Sequence, residues 1–450
     1  MEGLSEEGDA FVQFLAKHLG EEVFTLIDVG CSGGIADAWR SFGPRLRAFA
    51  FDRDVRECTH LAESETAKSI VYIPAFVGLP PDHEFARLRG NRPYVTRDWN
   101  RFSVVRTRQI RQAQTGRASA EAEKYPGAGS VVELCDPETP LFLPRFFQEH
   151  GIQDVDFVKI DVDGGDFDIL HSLEDELSAQ NVLGVGMEVN YTGSHSAAEH
   201  TFHNTDRFLR SKGFDLFGLT TRSYSTKYLP GRYRLSDPSH TLYGRPVQGD
   251  ALYVRDVCAL DARPFADRFS APKLEKLASI FALFGLPDCA AEVVLVHRNR
   301  LESVLDITHA LDLLAFQARR EGSRKFTYDE YMRLFEADST LFYPDEVRAE
   351  GGHAELHEQS FVGRLAFDTH LKIVEQHLAM VKKRVADLER STSWRLTAPL
   401  RMIGDSVRRL MSSSNKHSLR ICKTKIPHHL IRVSRFETSP FVDWWQFSPC

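Results

Sequence analysis

Val155-Asp156-Phe157-Val158-Lys159-Ile160-Asp161-Val162-Asp163-Gly164-Gly165-Asp166-Phe167 is the stretch on which the fold turns. It is a short apolar run rich in β-branched residues that ends in acids and a glycine pair. Such a run reads as a strand buried on both faces, closed by a tight turn. Lys159 interrupts it, and lysine is seldom buried without a partner. We expect a structural ion pair there, with Glu188 as the candidate partner.

Similar runs stand on either side. VFTLIDVG (23–30), RAFAFDRD (47–54) and SIVYIPAFV (69–77) precede it; NVLGVGMEVN (181–190), FDLFGLTT (214–221) and DALYVRD (250–256) follow. Helix-like stretches separate most of them, including FDILHSLEDELSAQ (167–180) and AAEHTFHNTDRFLRSKG (197–213). Strands alternating with helices of this length predict an α/β fold, with a mostly parallel sheet covered on both faces.

The first run ends in Asp28-Val29-Gly30-Cys31-Ser32-Gly33-Gly34. Glycines at such a turn let a ligand approach the backbone, and the helix expected to follow would offer amide donors. A dinucleotide site needs G-x-G-x-x-G. Here Ser32 stands where the second glycine belongs, and Asp28 would repel a pyrophosphate, so an NAD-linked oxidoreductase is disfavoured. A ligand with a neutral or cationic tail, such as S-adenosylmethionine (SAM), suits the turn better. Asp52 ends the second run and is placed to accept ribose hydroxyls. Asp54 reads as a helix-start residue. Asp28, Gly30, Gly33, Asp52 and Phe76 are the candidate cofactor-binding residues.

The stretch from Asp156 to Asp166 also resembles the signature D-F-x-K-I-D-V-E-G-x-E of the FkbM-type SAM-dependent methyltransferases. It agrees at Asp156, Phe157, Lys159, Ile160, Asp161, Val162 and Gly164, and has Asp163 and Asp166 where the family has Glu. Cys31-Ser32 replace the family's usual Ala-Asn. The resemblance runs in order over roughly residues 24–256. It implies a class I methyltransferase, Rossmann-like fold of seven strands, mostly parallel, with the last antiparallel, and SAM as cofactor. The acceptor implied is a hydroxyl of a sugar or glycan intermediate, in bacterial surface-polysaccharide biosynthesis.

Hydroxyl methylation needs an acceptor oxygen in line with the methyl group and a base to take its proton. Asp161, Asp163, Glu188 and His195 are the candidate catalytic residues. His195 also reads as part of a plain polar loop, with Ser196 capping the next helix. The three acids are the right donors for a divalent metal, yet no ligand-spacing signature accompanies them, and no metal is assigned.

The chain divides into a catalytic domain (1–260) with an Arg-rich insertion (78–130), a helical domain (261–345), a linker and heptad helix (346–390) and a tail (391–450). Between Arg87 and Lys124, nine arginines and one lysine meet only Asp98, Glu121 and Glu123. That is a solvated basic loop or a clamp for an anionic substrate. Phe367, Leu371, Val374, Leu378, Val381, Val385 and Leu388 follow a heptad pattern that suits a partner helix or a homodimer.

The net charge of −7 divides into −16 before residue 381 and +9 after it, so body and tail have separate roles. The tail carries Ser391-Thr392-Ser393-Trp394-Arg395-Leu396-Thr397-Ala398-Pro399-Leu400-Arg401, similar to an element of bacterial surface-polysaccharide enzymes. Its aromatics and arginines suit an anionic membrane surface or a glycan-assembly enzyme. The acidic body and the lack of a binding motif argue against nucleic acid. The scattered cysteines and the absence of a signal sequence predict a cytoplasmic location. A non-catalytic scaffold that keeps the fold and binds partners through its C-terminal region is the alternative reading.

Overall fold

The computed structural model describes residues 9–90, 101–103, 135–136, 139–162, 164–179, 182–234, 240–259, 267–318 and 327–342. All of them fall in the first of two compact units, residues 1–370; the second, 371–450, lies outside the described residues. So do Asp163, most of the Arg-rich insertion, the heptad stretch and the basic tail.

Eight strands form one sheet: β1 (Phe24–Val29), β2 (Leu46–Asp52), β3 (Ile70–Pro74), β4 (Phe157–Ile160), β5 (Gly184–Asn190), β6 (Asp215–Leu219), β7 (Arg222–Tyr224) and β8 (Arg245–Val254). Their order is β3-β2-β1-β4-β5-β8-β6, and β7 pairs with β8 beside that path. Strands β1 to β5 pair in parallel, while β8 runs antiparallel to both neighbours. This is the order and sense of the class I methyltransferase sheet, with the short β7 added.

Alternate residues of each strand enter opposite cores, which accounts for the continuous rather than alternating hydrophobicity. On one face Leu26, Ala48, Phe157, Leu252 and Val254 pack with helices α1 (Asp9–Ala16) and α2 (Val55–Ser64). On the other, Ile27, Phe49, Val158, Val185 and Tyr253 pack with α3 (Glu84–Arg89), α4 (Leu143–Glu149), α5 (Asp166–Ser172), α6 (Glu174–Ser178) and α7 (Phe202–Ser211).

Beyond the sheet lie α8 (Ala271–Leu283), α9 (Pro287–Val296), α10 (Arg298–Leu301), α11 (Ile307–Ala318) and α12 (Tyr328–Ala337). Residues of α8, α9 and α11 join the cluster that contains α1 and Leu26. Every residue of α8 from Leu274 to Leu283 is buried, charged ones included. Asp156, fully buried just before β4, holds α8 there: its carboxylate lies 2.6 Å from Lys273 Nζ and 3.1 Å from Lys276 Nζ, and accepts from Thr25 N at 2.8 Å. Among the described residues, no helix is long and apolar enough to cross a membrane.

Two local expectations need correction. The segment after the glycine turn is a 3-10 stretch, Asp37–Arg45, broken at Gly43 (φ 54°) and Pro44, so no regular helix opens at Gly33–Gly34. Ser196 is not a helix cap, because α7 begins at Phe202 after Thr201. Asn204 Nδ2 donates to the carbonyls of Ser196 and Glu199, which folds the intervening residues into a turn instead.

Candidate active site

The sheet's direction of progress reverses between β1 and β4, and the crevice outside such a switch point is where open α/β sheets bind ligands. A cavity of about 700 Å³ lies there, at the carboxyl ends of β1, β2 and β4. Asp28 and Gly30 come to it from β1 and the turn, Asp52 from β2, Phe76 from beyond β3, and Lys159 and Asp161 from β4. Four of the five expected cofactor residues therefore share one wall with one of the expected catalytic acids. Gly33 belongs to the turn but is not among the lining residues.

The turn is built for close approach. Gly30 has φ 87°, and a β-carbon on it would stand 1.9 Å from the carbonyl oxygen of Asp161, so only glycine fits. Its amide and that of Cys31 both donate to Phe51 O, at 2.8 and 3.1 Å, which ties the turn to the end of β2. The amide of Gly33 donates to Glu57 Oε1 at 3.0 Å. That amide is therefore already engaged by a carboxylate and is not free for a phosphate. The cavity itself offers an aromatic ring (Phe76) and a carboxylate at the end of β2 (Asp52), groups suited to a nucleoside.

Asp52 and Asp54 separate as expected. Asp54 caps α2, accepting from Arg56 N at 3.0 Å and Glu57 N at 3.2 Å. Asp52 is half-buried on the cavity wall and steadies the cap by accepting from Asp54 N at 2.9 Å.

Lys159 is paired, but not with Glu188. Strands β1 and β4 align Asp28 with Lys159, so the lysine Nζ lies 3.1 Å from Asp28 Oδ1, donates to Gly30 O and stands 3.8 Å from Asp161 Oδ2. Burial pushes the Asp28 carboxyl upward, and the ammonium of Lys159 opposes that. Burial alone would lower the Lys159 ammonium, yet Asp28 and then Asp161 hold it above its ordinary value. Each partner thus offsets part of the other's loss of water.

Glu188 lies one strand further on, opposite Asp250 of β8. The β4–β5 register ends with Ile160 opposite Met187, which puts Asp161 and Glu188 level on neighbouring strands, about 5 Å apart in backbone. Asp161, Glu188 and Asp250 therefore form a row across three strands on the face of the sheet that also carries Asp28. Arg222 of β7 answers the row: its guanidinium contacts both carboxylate oxygens of Asp250 at 2.8 Å and Glu188 Oε2 at 3.2 Å. Gln248 Nε2 donates to the same Glu188 oxygen at 2.9 Å. Sequence reading missed Arg222 and Gln248, because β7 carries no pattern of its own and β8 starts before the apolar run that signals it. Asp250 opened that run and was the available clue.

Asp166 is fully buried and accepts from Val162 N at 3.0 Å and Gly164 N at 3.3 Å, beside the cavity-lining Val162 and Gly165. Burial, with Glu188 and Asp161 acting in the same direction, pushes its carboxyl up to about 8. His200 Nδ1 lies 3.8 Å from it, while His195 is exposed and lines no part of the cavity. Among the described residues, no group of three or more His, Cys, Asp or Glu is placed to hold a metal ion.

No curated protein matches the chain. Among solved structures it is similar to a precorrin-6y C5,15-methyltransferase from Geobacter metallireducens GS-15, 9% identical over 54% of this chain and 86% of that one, with a TM-score of 0.24. A TehB-like SAM-dependent methyltransferase from Corynebacterium glutamicum is 8% identical over 55% and 88%, with a TM-score of 0.22. Magnesium protoporphyrin IX methyltransferase from Synechocystis PCC 6803, with bound SAM, is 11% identical over 55% and 78%, with a TM-score of 0.17. The strand order, not these scores, carries the fold. Residues 114–216 match the family model of the methyltransferase FkbM domain.

Proposed function

We propose that the chain transfers a methyl group from SAM to a hydroxyl of a sugar or glycan intermediate in surface-polysaccharide assembly. The observation that carries this reading is a cavity at the switch point, lined both by a carboxylate suited to ribose (Asp52) and by one suited to a reacting hydroxyl (Asp161). When bound, SAM supplies an electrophilic methyl group. The chain's own residues do the rest. Asp52 accepts ribose hydroxyls, Phe76 offers its ring, and the bare backbone of Gly30 admits the ligand. Asp161 takes the acceptor's proton, and Glu188, fixed by Arg222 and Gln248, orients a neighbouring hydroxyl. A row of carboxylates beside a guanidinium is a set of hydrogen-bonding groups suited to a polyol. The tail element similar to those of polysaccharide enzymes points to the same substrate class.

Incubation of the purified chain with methyl-labelled SAM and a panel of neutral hexosides tests the reading. Label is expected in at least one sugar as an O-methyl ether. Asp161→Asn should lower the rate about 10²- to 10⁴-fold, the worth of a positioned base. Label in no sugar, or an unchanged rate in Asp161→Asn, would contradict it.

A further inference from the structure

Neutralising Asp28 requires one contact from Lys159, yet the side chain makes three. Its ammonium pairs with Asp28 on β1, donates to the carbonyl of Gly30 in the turn and stands 3.8 Å from Asp161 at the end of its own strand. It also lines the cavity. The turn and Asp161 are in contact besides, since the bare α-carbon of Gly30 packs against the Asp161 carbonyl. We infer that Lys159 is a positioning residue, whose ammonium ties the glycine turn to Asp161 so that the cofactor wall and the acceptor-side carboxylate keep one fixed relation.

This rests on the methyltransferase reading and deepens it. The charged groups around Asp161 are Asp28 from β1, Glu188 from β5, Asp166 from α5, Arg222 from β7 and Lys159 itself. Burial and the carboxylates among them disfavour a charge on Asp161, and Lys159 and Arg222 counter them. Removing the ammonium therefore has two consequences: the turn loses its hold, and Asp161 becomes harder to ionise.

Lys159→Met alone would strand the buried Asp28 and destabilise the chain whatever the lysine does for the site. The double variant Asp28→Asn/Lys159→Met removes the pair together. Three readouts apply: thermal melting, calorimetric titration with S-adenosylhomocysteine, and the carboxyl-carbon NMR titration of Asp161, assigned by comparison with Asp161→Asn. The double variant should melt close to the wild type; relative to Asp28→Asn alone, which isolates the loss of that carboxylate, it should bind S-adenosylhomocysteine about tenfold more weakly and show the Asp161 midpoint raised by about one unit. Affinity and midpoint equal to those of Asp28→Asn would overturn the inference, leaving Lys159 as a counter-ion only. Should the double variant not fold, Lys159→Arg decides: its planar head cannot reproduce the three-way contact, so wild-type affinity in that variant overturns the inference and a weakened one supports it. Failure of the wild type itself to bind S-adenosylhomocysteine would remove the methyltransferase reading, and the inference with it.

Discussion

A β-carbon at Gly30 would meet the Asp161 carbonyl at 1.9 Å on a backbone of φ 87°, whereas one at Gly33 (φ 83°) would meet nothing within 4 Å. Both positions favour glycine by conformation, but only the first also forbids any side chain. Gly33→Ala should cost about 1–2 kcal/mol, the conformational penalty alone. Gly30→Ala should cost clearly more, about 3 kcal/mol or beyond, because the clash is with backbone that closes the cavity. Urea denaturation of both variants checks this, and equal costs would contradict the account. At this scale the sequence was readable where a residue acts through its own backbone: the Asp28-to-Gly34 turn, and Asp54 as a cap beside Asp52. It was not readable where the partner lies across the sheet. Lys159 met Asp28 rather than Glu188 because register, not proximity in type, chose the pair.

Strands were legible because burial on both faces leaves continuous apolar runs, and all eight strands except β7 fall on such runs in whole or in part. The 3-10 stretch Asp37–Arg45 was not, since Gly43 and Pro44 break a pattern that the apolar residues Ala38, Trp39 and Phe42 otherwise suggest. Helix α8 shows what a motif residue can do outside the site. Asp156 opens the signature stretch, yet its carboxylate serves to seat Lys273 and Lys276. Asp156→Ala should destabilise the chain by about 3–5 kcal/mol, because it leaves Lys276, 1% exposed, without a buried counter-charge. A loss below about 1 kcal/mol in chemical denaturation, the worth of a surface pair, would show that α8 is held by packing alone.

The whole described unit is one layered body in which helices from both ends of the first unit share a core with the sheet. Its interior holds a carboxylate with an evident pH consequence. Glu275 is 1% exposed, neither of its carboxylate oxygens has a hydrogen-bond partner, and burial pushes its carboxyl up to about 7. The folded chain therefore holds a proton that the unfolded chain releases above its ordinary carboxylate range, so this group's stabilisation is whole at acid pH and is lost as pH rises toward 7. Glu275→Gln should abolish that loss, gaining about 3 kcal/mol relative to the wild type at pH 8 over the difference at pH 4. Urea midpoints at the two pH values measure it, and a difference independent of pH would refute the assignment.

The central claim is that the cavity at the switch point receives a SAM-type nucleoside and not a dinucleotide. Calorimetric titration of the purified chain with SAM and with NAD, repeated on Asp52→Ala, tests it most directly. The account predicts micromolar binding of SAM, corresponding to about −8 kcal/mol, marked weakening in Asp52→Ala and no binding of NAD. Binding of NAD, or a folded chain that takes up no SAM, would contradict it.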